Sequence, residues 1–270
     1  MTRLAVPWYV HPAEAPEQWR RLASLADQVE FAVVNVADGP GLADDPYYPQ
    51  ALAMLRAHGI RLLGYVDVDY GRRSPVLVAA DVETWKTLYD VDEIMYDQVA
   101  SGVDALGQNR ILALLARRAG VRTLVANPGV EPCPELLALF DITCVFEDDA
   151  AAHAWVEPPV TTARRWHLVH GVPVEELERV AERAGDLGAE LVFVTDRPAP
   201  HPWDRLPAWE PARCWSHWSV LLRSCWFWRG APTRGPSQQL PLASPRRLRR
   251  SSPGARTSGS PRKVRPGSGS

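Results

Sequence analysis

Residues 93–98, Glu-Ile-Met-Tyr-Asp-Gln, decide the fold prediction. An apolar run of this length is typical of a buried strand, and here it ends in the carboxylate of Asp97 and the amide of Gln98. Residues 142–147, Ile-Thr-Cys-Val-Phe-Glu, repeat this design and end in Glu147. Two buried strands that each end in an acid form a candidate pair of carboxylates, provided that the two side chains face each other.

Eight apolar runs of this kind recur along the chain, and segments with helical spacing lie between most of them. The predicted strands are residues 4–10, 30–36, 61–66, 93–96, 122–126, 142–146, 165–169 and 190–195. The predicted helices are residues 16–28, 49–58, 108–119 and 174–187, with a short candidate at 150–155. Strands that are apolar nearly throughout and alternate with helices indicate a parallel sheet buried on both faces.

The count of eight favours an α/β fold of the (β/α)8 TIM-barrel type, with a doubly wound open sheet as the alternative. Polar residues follow every predicted strand, as expected where all strand ends meet at the mouth of a barrel. In an open sheet such residues cluster at one switch point instead. The strand-end residues are Tyr9 and His11, Asn35, Asp67, Asp97, Asn127, Glu147, His170 and Asp196.

Charge and composition change near residue 210. Residues 213–270 hold twelve of the 30 basic residues and none of the 32 acidic ones, so residues 1–210 carry a formal charge of −14. We therefore predict a barrel domain over 1–210, a Trp-rich segment of undetermined structure over 211–228, and a disordered tail rich in Arg, Ser, Pro and Gly over 229–270. The last barrel helix is expected to be incomplete or altered.

The motifs of several other protein classes are missing from the sequence. It has neither GxGxxG nor a Walker motif, so we expect no nucleotide cofactor. Its four cysteines lack zinc-type spacing, and we expect no metal. No apolar run approaches a membrane span and no signal peptide is visible, so we expect no membrane partner and a cytoplasmic location, or secretion if the start misses a leader. The acidic body argues against nucleic acid as a partner; the basic tail is either an arm for a polyanion or an unfolded extension without function.

Short motifs along residues 4–209 together resemble the spherulin-4-like proteins of spherulation-specific family 4. They are Val-Pro-Trp-Tyr at 6–9, Asn35 with Gly-Pro-Gly at 39–41, Gly-Tyr-Val at 64–66, Tyr-Gly-Arg at 70–72, Asp97, Asn-Pro-Gly at 127–129, Phe-Glu at 146–147 and Asp-Arg-Leu-Pro at 204–207. The resemblance implies a glycoside hydrolase-type barrel, related to endo-acting α-1,4-galactosaminidases or N-acetylgalactosaminidases. The family pattern has Asp-Glu after strand four and Glu after strand six; Asp97 and Glu147 match it, and Gln98 replaces the other Glu.

Glycoside hydrolysis needs one group to protonate the leaving oxygen and one to attack or stabilise the anomeric centre. On this resemblance, Asp97 is expected to be the nucleophile and Glu147 the general acid/base. Carboxyl groups about 5–5.5 Å apart indicate retention of configuration, and roughly 6.5–9.5 Å indicates inversion. A separation above about 12 Å would exclude a direct pair.

A further set of polar and aromatic residues is expected to bind the substrate, an oligo- or polysaccharide. These residues are Tyr9, Asn35, Tyr65, Asp67, Asp69, Tyr70, Gln98 and Asn127. Tyrosines can equally be core residues, and the asparagines can equally be turn residues.

The leading hypothesis is a glycosidase that hydrolyses a hexosamine-containing α-1,4 glycan with Asp97 and Glu147. The first alternative is a carbohydrate-binding barrel with impaired catalysis, suggested by Gln98. The second is a barrel enzyme acting on a small intracellular metabolite, suggested by the lack of a signal peptide.

Overall fold

A computed structural model of the chain describes residues 2–158 and 163–208. Its eight strands are parallel and form a closed barrel in sequence order, with β8 hydrogen-bonded to β1. The predicted (β/α)8 barrel is therefore confirmed. The strands are β1 Arg3–Trp8, β2 Val29–Val34, β3 Arg61–Asp67, β4 Ile94–Asp97, β5 Leu124–Asn127, β6 Ile142–Asp149, β7 Arg165–His170 and β8 Leu191–Val194.

Seven α-helices connect the strands within the described part of the chain. They are α1 Pro16–Ser24, α2 Tyr48–Ala57, α3 Pro75–Tyr89, α4 Leu106–Arg118, α5 Pro134–Leu137, α6 Ala150–His153 and α7 Leu177–Asp186. Short 3₁₀ turns lie at Asp69–Gly71, Val103–Ala105 and Val174–Glu176. From β8 to residue 208 the chain forms no further helix. The predicted segments 211–228 and 229–270 lie outside the described residues and stay predictions.

The 15-residue helix α3 was missing from the predicted helices. Its buried face carries Val78, Val82 and Trp85, but Val76 and Leu77 on the opposite side are exposed. Apolar residues on both sides weaken the contrast from which an amphipathic helix is recognised. No helix in the described residues is long and apolar enough to cross a membrane.

Gly64 allows α3 to pack closely against the barrel. A Cβ atom at this position in β3 would lie only 2.5–2.7 Å from ring atoms of Trp85, which is fully buried. The Trp85 indole also donates to the Tyr65 carbonyl oxygen at 2.8 Å, so the ring cannot move away without losing a buried hydrogen bond. Only glycine fits between this strand and this helix.

We expect Gly64→Ala to destabilise the fold by about 1–3 kcal/mol, the usual cost of overpacking a core. Gly107→Ala is the matched control, because its Cβ would meet nothing within 4 Å in α4 and alanine is the better helix former. Chemical denaturation of both variants measures the difference. Equal stability of the two variants would contradict this account of the packing.

Charged residues line the amino-terminal ends of the strands, opposite the strand ends where sites form in barrels. Glu93 precedes β4, is 3% exposed, and forms ion pairs with Arg61 and with Arg122. Arg61 also pairs with Glu30 at 3.2 Å and donates to the Thr123 hydroxyl at 2.7 Å. This group, the Glu93 network, closes the end of the barrel away from Asp97.

Candidate active site

Three neighbouring strands bring the predicted acids together at the carboxyl-terminal end of the barrel. Asp97 ends β4, Asn127 ends β5 directly beside it, and Glu147 lies in β6. The Asn127 Nδ2 donates to Asp97 Oδ1 at 2.8 Å and to Glu147 Oε2 at 2.5 Å. Because both oxygens bond to the same nitrogen at these distances, they lie no more than 5.3 Å apart.

A tight turn fixes which way the Asn127 amide points. The backbone N–H of Gly129, which has a φ of 68°, donates to Asn127 Oδ1 at 3.0 Å. The carbonyl oxygen of Gly129 accepts from the backbone N–H of Glu147 at 2.9 Å. With its oxygen held by the turn, the amide presents its two N–H donors to the carboxylates. The turn at residues 127–129 thus links β5 to the second acid.

Asp97 receives more hydrogen bonds than its partner. Besides Asn127, the Tyr65 hydroxyl donates to Asp97 Oδ2 at 2.8 Å, and the backbone N–H of Gln98 also donates to this carboxyl. Burial raises the pKa of Asp97, while the three donors oppose that rise because they favour the charged form. Burial and the nearby Asp97 charge also raise the pKa of the Tyr65 hydroxyl, so it remains a donor.

Glu147 lies in a less polar setting. Its second oxygen accepts a long hydrogen bond of 3.3 Å from the indole N–H of Trp203. Burial is the largest cause that raises its pKa, and the negative charge of Asp97 raises it further. Two carboxyl groups this close cannot both ionise easily, so a proton is shared between them over a range of pH.

The pair opens into a cavity of about 940 Å³, large enough for several linked monosaccharides. Among the described residues that line it there are four acids and no Lys or Arg. The aromatic lining residues are Tyr9, Tyr65, Tyr70 and Trp203; the amides are Asn35, Gln98 and Asn127; the acids are Asp38, Asp97, Glu147 and Asp204. Six of the eight predicted substrate-binding residues thus line the cavity.

Several of these side chains have structural contacts in addition to their place at the cavity. Asn35 Oδ1 accepts from the Gly39 backbone N–H at 2.8 Å and so holds the turn after β2. Tyr70 and Gln98 both have positive φ, 50° and 55°, and the Tyr70 N–H donates to the Gln98 carbonyl oxygen at 2.7 Å. Such conformations are uncommon for residues other than glycine and cluster at functional sites.

Asp67 and Asp69, the other two residues predicted to bind the substrate, are not among the described residues that line the cavity. Asp67 Oδ1 accepts from the backbone N–H of Asp69 at 2.7 Å, and the Asp69 side chain pairs with Arg72 at the surface. The strand β3 ends at Asp67, because Asp69 has a φ of 47° and starts a 3₁₀ turn, so the two side chains do not follow the alternation of a strand.

Trp203 and Asp38 line the cavity but were not predicted as site residues, and His170 was predicted only as a strand-end residue. Trp203 directly precedes the motif at 204–207, and the Asp204 carboxylate accepts two hydrogen bonds of 3.0 Å from Arg197, which ties down the loop after β8. Trp203 packs edge-on against His170, at 6.2 Å between ring centroids. The described residues contain no group of three or more His, Cys, Asp or Glu placed to hold a metal ion.

Fold and site together define a TIM barrel with two carboxyl groups bridged by an amide in its carboxyl-terminal cavity. The sequence comparison then identifies the family: the model of spherulation-specific family 4 matches residues 3–218, and the chain belongs to this family.

Two relatives are similar over long stretches. Spherulin-4 of Physarum polycephalum is 27% identical over 149 residues, or 54% of this chain; the aligned part spans 45% of the length of Spherulin-4. The crystal structure of Aspergillus clavatus Sph3 in complex with GalNAc superimposes with a TM-score of 0.66 at 25% identity. The superimposed part covers 77% of this chain and 93% of the Sph3 chain.

Proposed function

We propose that this protein is a retaining glycoside hydrolase that cleaves a hexosamine-containing α-1,4 glycan with Asp97 and Glu147. The observation that carries the proposal is the pair itself: two partly buried carboxyl groups whose bridged oxygens are at most 5.3 Å apart. This upper limit lies below the roughly 6.5–9.5 Å that inverting enzymes need to admit a water molecule, and it is compatible with the shorter spacing of retaining enzymes, about 5–5.5 Å.

The hydrogen bonds divide the two roles. Asp97 has three donors, so it holds a negative charge more readily and suits the nucleophile. Glu147 has one short and one long hydrogen bond and faces the charge of Asp97, so it retains a proton more readily and suits the general acid. Environments that separate the pKa values of two neighbouring carboxyls assign acid and nucleophile in this way.

The proposed reaction has two steps. In the first, an Asp97 oxygen bonds to the anomeric carbon, the glycosidic C–O bond breaks, and the Glu147 proton passes to the leaving oxygen. In the second, Glu147 takes a proton from water, the water oxygen bonds to the anomeric carbon, and the bond to Asp97 breaks. The two displacements together retain the anomeric configuration.

The nature of the cavity supports a sugar ligand. Aromatic rings beside amides and carboxylates offer apolar faces together with donors and acceptors, which is what the alternating surfaces of a pyranose require. GalNAc bound to Sph3 points to a hexosamine. Because the described lining residues include four acids and no Lys or Arg, a free amino group on the sugar is compatible with the cavity.

Gln98 favours one alternative, a carbohydrate-binding barrel that does not turn over its ligand. An amide stands here where the family pattern has a second acid after strand four, and its side chain lines the cavity. In this alternative, Asp97 and Glu147 hydrogen-bond sugar hydroxyls. The cavity then binds the glycan without cleaving it.

Reducing-end release from α-1,4-linked galactosamine oligosaccharides, N-acetylated and de-acetylated, tests the proposal. We expect turnover of at least one of them by the full chain, with the product first appearing as the α-anomer in NMR spectra. Glycan binding without turnover supports the binding-protein alternative. A β-anomeric first product contradicts the retaining mechanism.

A further inference from the structure

We propose that Asn127 is a positioning residue that acts on both carboxyl groups at once, fixing their separation and stabilising the negative charge of each. The expected effect of Asn127 on turnover rests on the proposed hydrolase function. The expected effect of Asn127 on the two carboxyl groups does not depend on that function.

The amide can do this because one nitrogen serves both acids. An amide NH₂ has two hydrogens, and Asn127 gives one to Asp97 and one to Glu147. A hydrogen bond to a charged acceptor is stronger than one between neutral groups. The same nitrogen therefore draws the two like-charged groups toward each other, against their repulsion.

The surrounding turn prevents the amide from rotating. Turning it over would remove the hydrogen bond from the Gly129 N–H and would place the amide oxygen against two carboxyl groups. The amide is thus fixed before any substrate binds, as an efficient catalytic arrangement requires.

No Lys or Arg is among the described residues that line the cavity. The titratable groups that interact with the two carboxyls are Tyr9 after β1, Tyr65 and Asp67 on β3, and Cys144 and Asp148 on β6. The imidazoles of His170, at the end of β7, and His201, in the loop after β8, also line the cavity. Hydrogen-bond donors, with Asn127 as the one shared by both acids, therefore do the work that a Lys or Arg does elsewhere.

Two substitutions separate the functions of the amide. Asn127→Ala removes both donors. Asn127→Asp keeps an oxygen for the Gly129 N–H but puts a second oxygen where the NH₂ group faces the acids, so the turn is retained while the donors are lost. Both changes disfavour the charged forms of Asp97 and Glu147, and the aspartate does so more because it adds a like charge.

The experiment is a pH titration of the ¹³C-labelled side-chain carboxyls by NMR on the full chain, paired with the pH profile of kcat/KM. We expect Asp97 and Glu147 to titrate at higher pH in both variants. We also expect kcat to fall about 100-fold in Asn127→Ala, as for a misplaced catalytic group. The acidic limb of the profile moves to higher pH, because the nucleophile must be ionised.

Asn109→Ala is the matched control. Asn109, on α4, is also buried, at 2% exposure, and its Nδ2 donates to the Ala100 carbonyl oxygen at 3.0 Å. This variant should lose stability and leave the two carboxyl titrations unchanged. Titrations in Asn127→Ala identical to the wild type would overturn the inference. Shifted titrations in a protein that hydrolyses no glycan would instead refute the hydrolase function and leave the role of Asn127 standing.

Discussion

Asp97→Asn is expected to lower glycan hydrolysis about 10⁴-fold, and Glu147→Gln about 10²–10⁴-fold. The asparagine cannot form the covalent bond to the anomeric carbon, and the glutamine can neither give nor take the proton. Leaving groups that need no protonation should restore much of the first step in Glu147→Gln and none of it in Asp97→Asn. Initial rates on an oligosaccharide and on an activated aryl glycoside measure this difference.

The same substitutions should not weaken the fold. Burial raises the pKa of both carboxyls above their ordinary values, so ionising them is less favourable in the folded protein than in the unfolded chain. The free energy of unfolding therefore falls as the pH rises from the carboxyl pKa of the unfolded chain to that of the folded protein. A neutral amide at position 147 removes this cost; it keeps an acceptor oxygen for Asn127 and gives up only the long 3.3 Å hydrogen bond from Trp203. We therefore expect Glu147→Gln to be more stable than the wild type at pH 7, by about 0.5–2 kcal/mol, with the difference shrinking as the pH falls.

Loss of activity together with loss of stability would contradict the stability argument, because it would mean that the two charged carboxyl groups stabilise the fold. Loss of activity with a gain of stability is the sign of residues held in an unfavourable state for function. Thermal unfolding of both variants at several pH values separates the two cases. Glu135→Gln, at an acidic residue in the first turn of α5 and away from the lining of the cavity, is a control for the removal of one charge.

The barrel could be predicted because its signal is local and repeated. Each strand is a short apolar run, and each of the eight runs lies in the structure within a few residues of its predicted position. The two acids were identifiable for the same reason, since a polar residue that ends an apolar strand lies at the mouth of the barrel. Helix α3 was not recognised, because Val76 and Leu77 on its exposed side are also apolar.

The contacts that define the site are of another kind. One nitrogen of Asn127 donates to both acids only because three strands and a turn place these residues together. No spacing in the sequence encodes such a shared donor. Trp203 reaches Glu147 from 56 positions away along the chain. Asp67 and Asp69 were expected at the substrate because they follow the predicted strand 61–66, but a 3₁₀ turn starts at Asp69 and neither residue is among the described residues that line the cavity. Long-range contacts and positive φ angles at residues other than glycine are the two things that periodicity cannot reveal.

The Glu93 network shows how the opposite end of the barrel supports the site. Glu93 directly precedes the short strand β4 and Asp97 ends it, so the position of Asp97 depends on how the strand is held at its other end. Glu93 is nearly inaccessible and is neutralised by two arginines. Removing its charge leaves Arg61 with Glu30 as its remaining acidic partner and Arg122 with Asp92.

Glu93→Gln is expected to destabilise the protein by about 3 kcal/mol, at the lower end for breaking a buried ion pair, because Arg122 is 66% exposed and can reach water. In a domain of this size that lowers Tm by roughly 6–12 °C. Glu190→Gln is the matched control: it removes a carboxylate at the same end of the barrel, 52% exposed and paired with Arg164 at 2.8 Å. Its expected cost is below about 1 kcal/mol, as for exposed pairs. Similar losses of stability in the two variants would show that burial does not set the strength of the Glu93 network. A large loss confined to Glu93→Gln would support the view that the ion pairs of Glu93 anchor the amino-terminal end of β4, the strand that carries Asp97 at its other end.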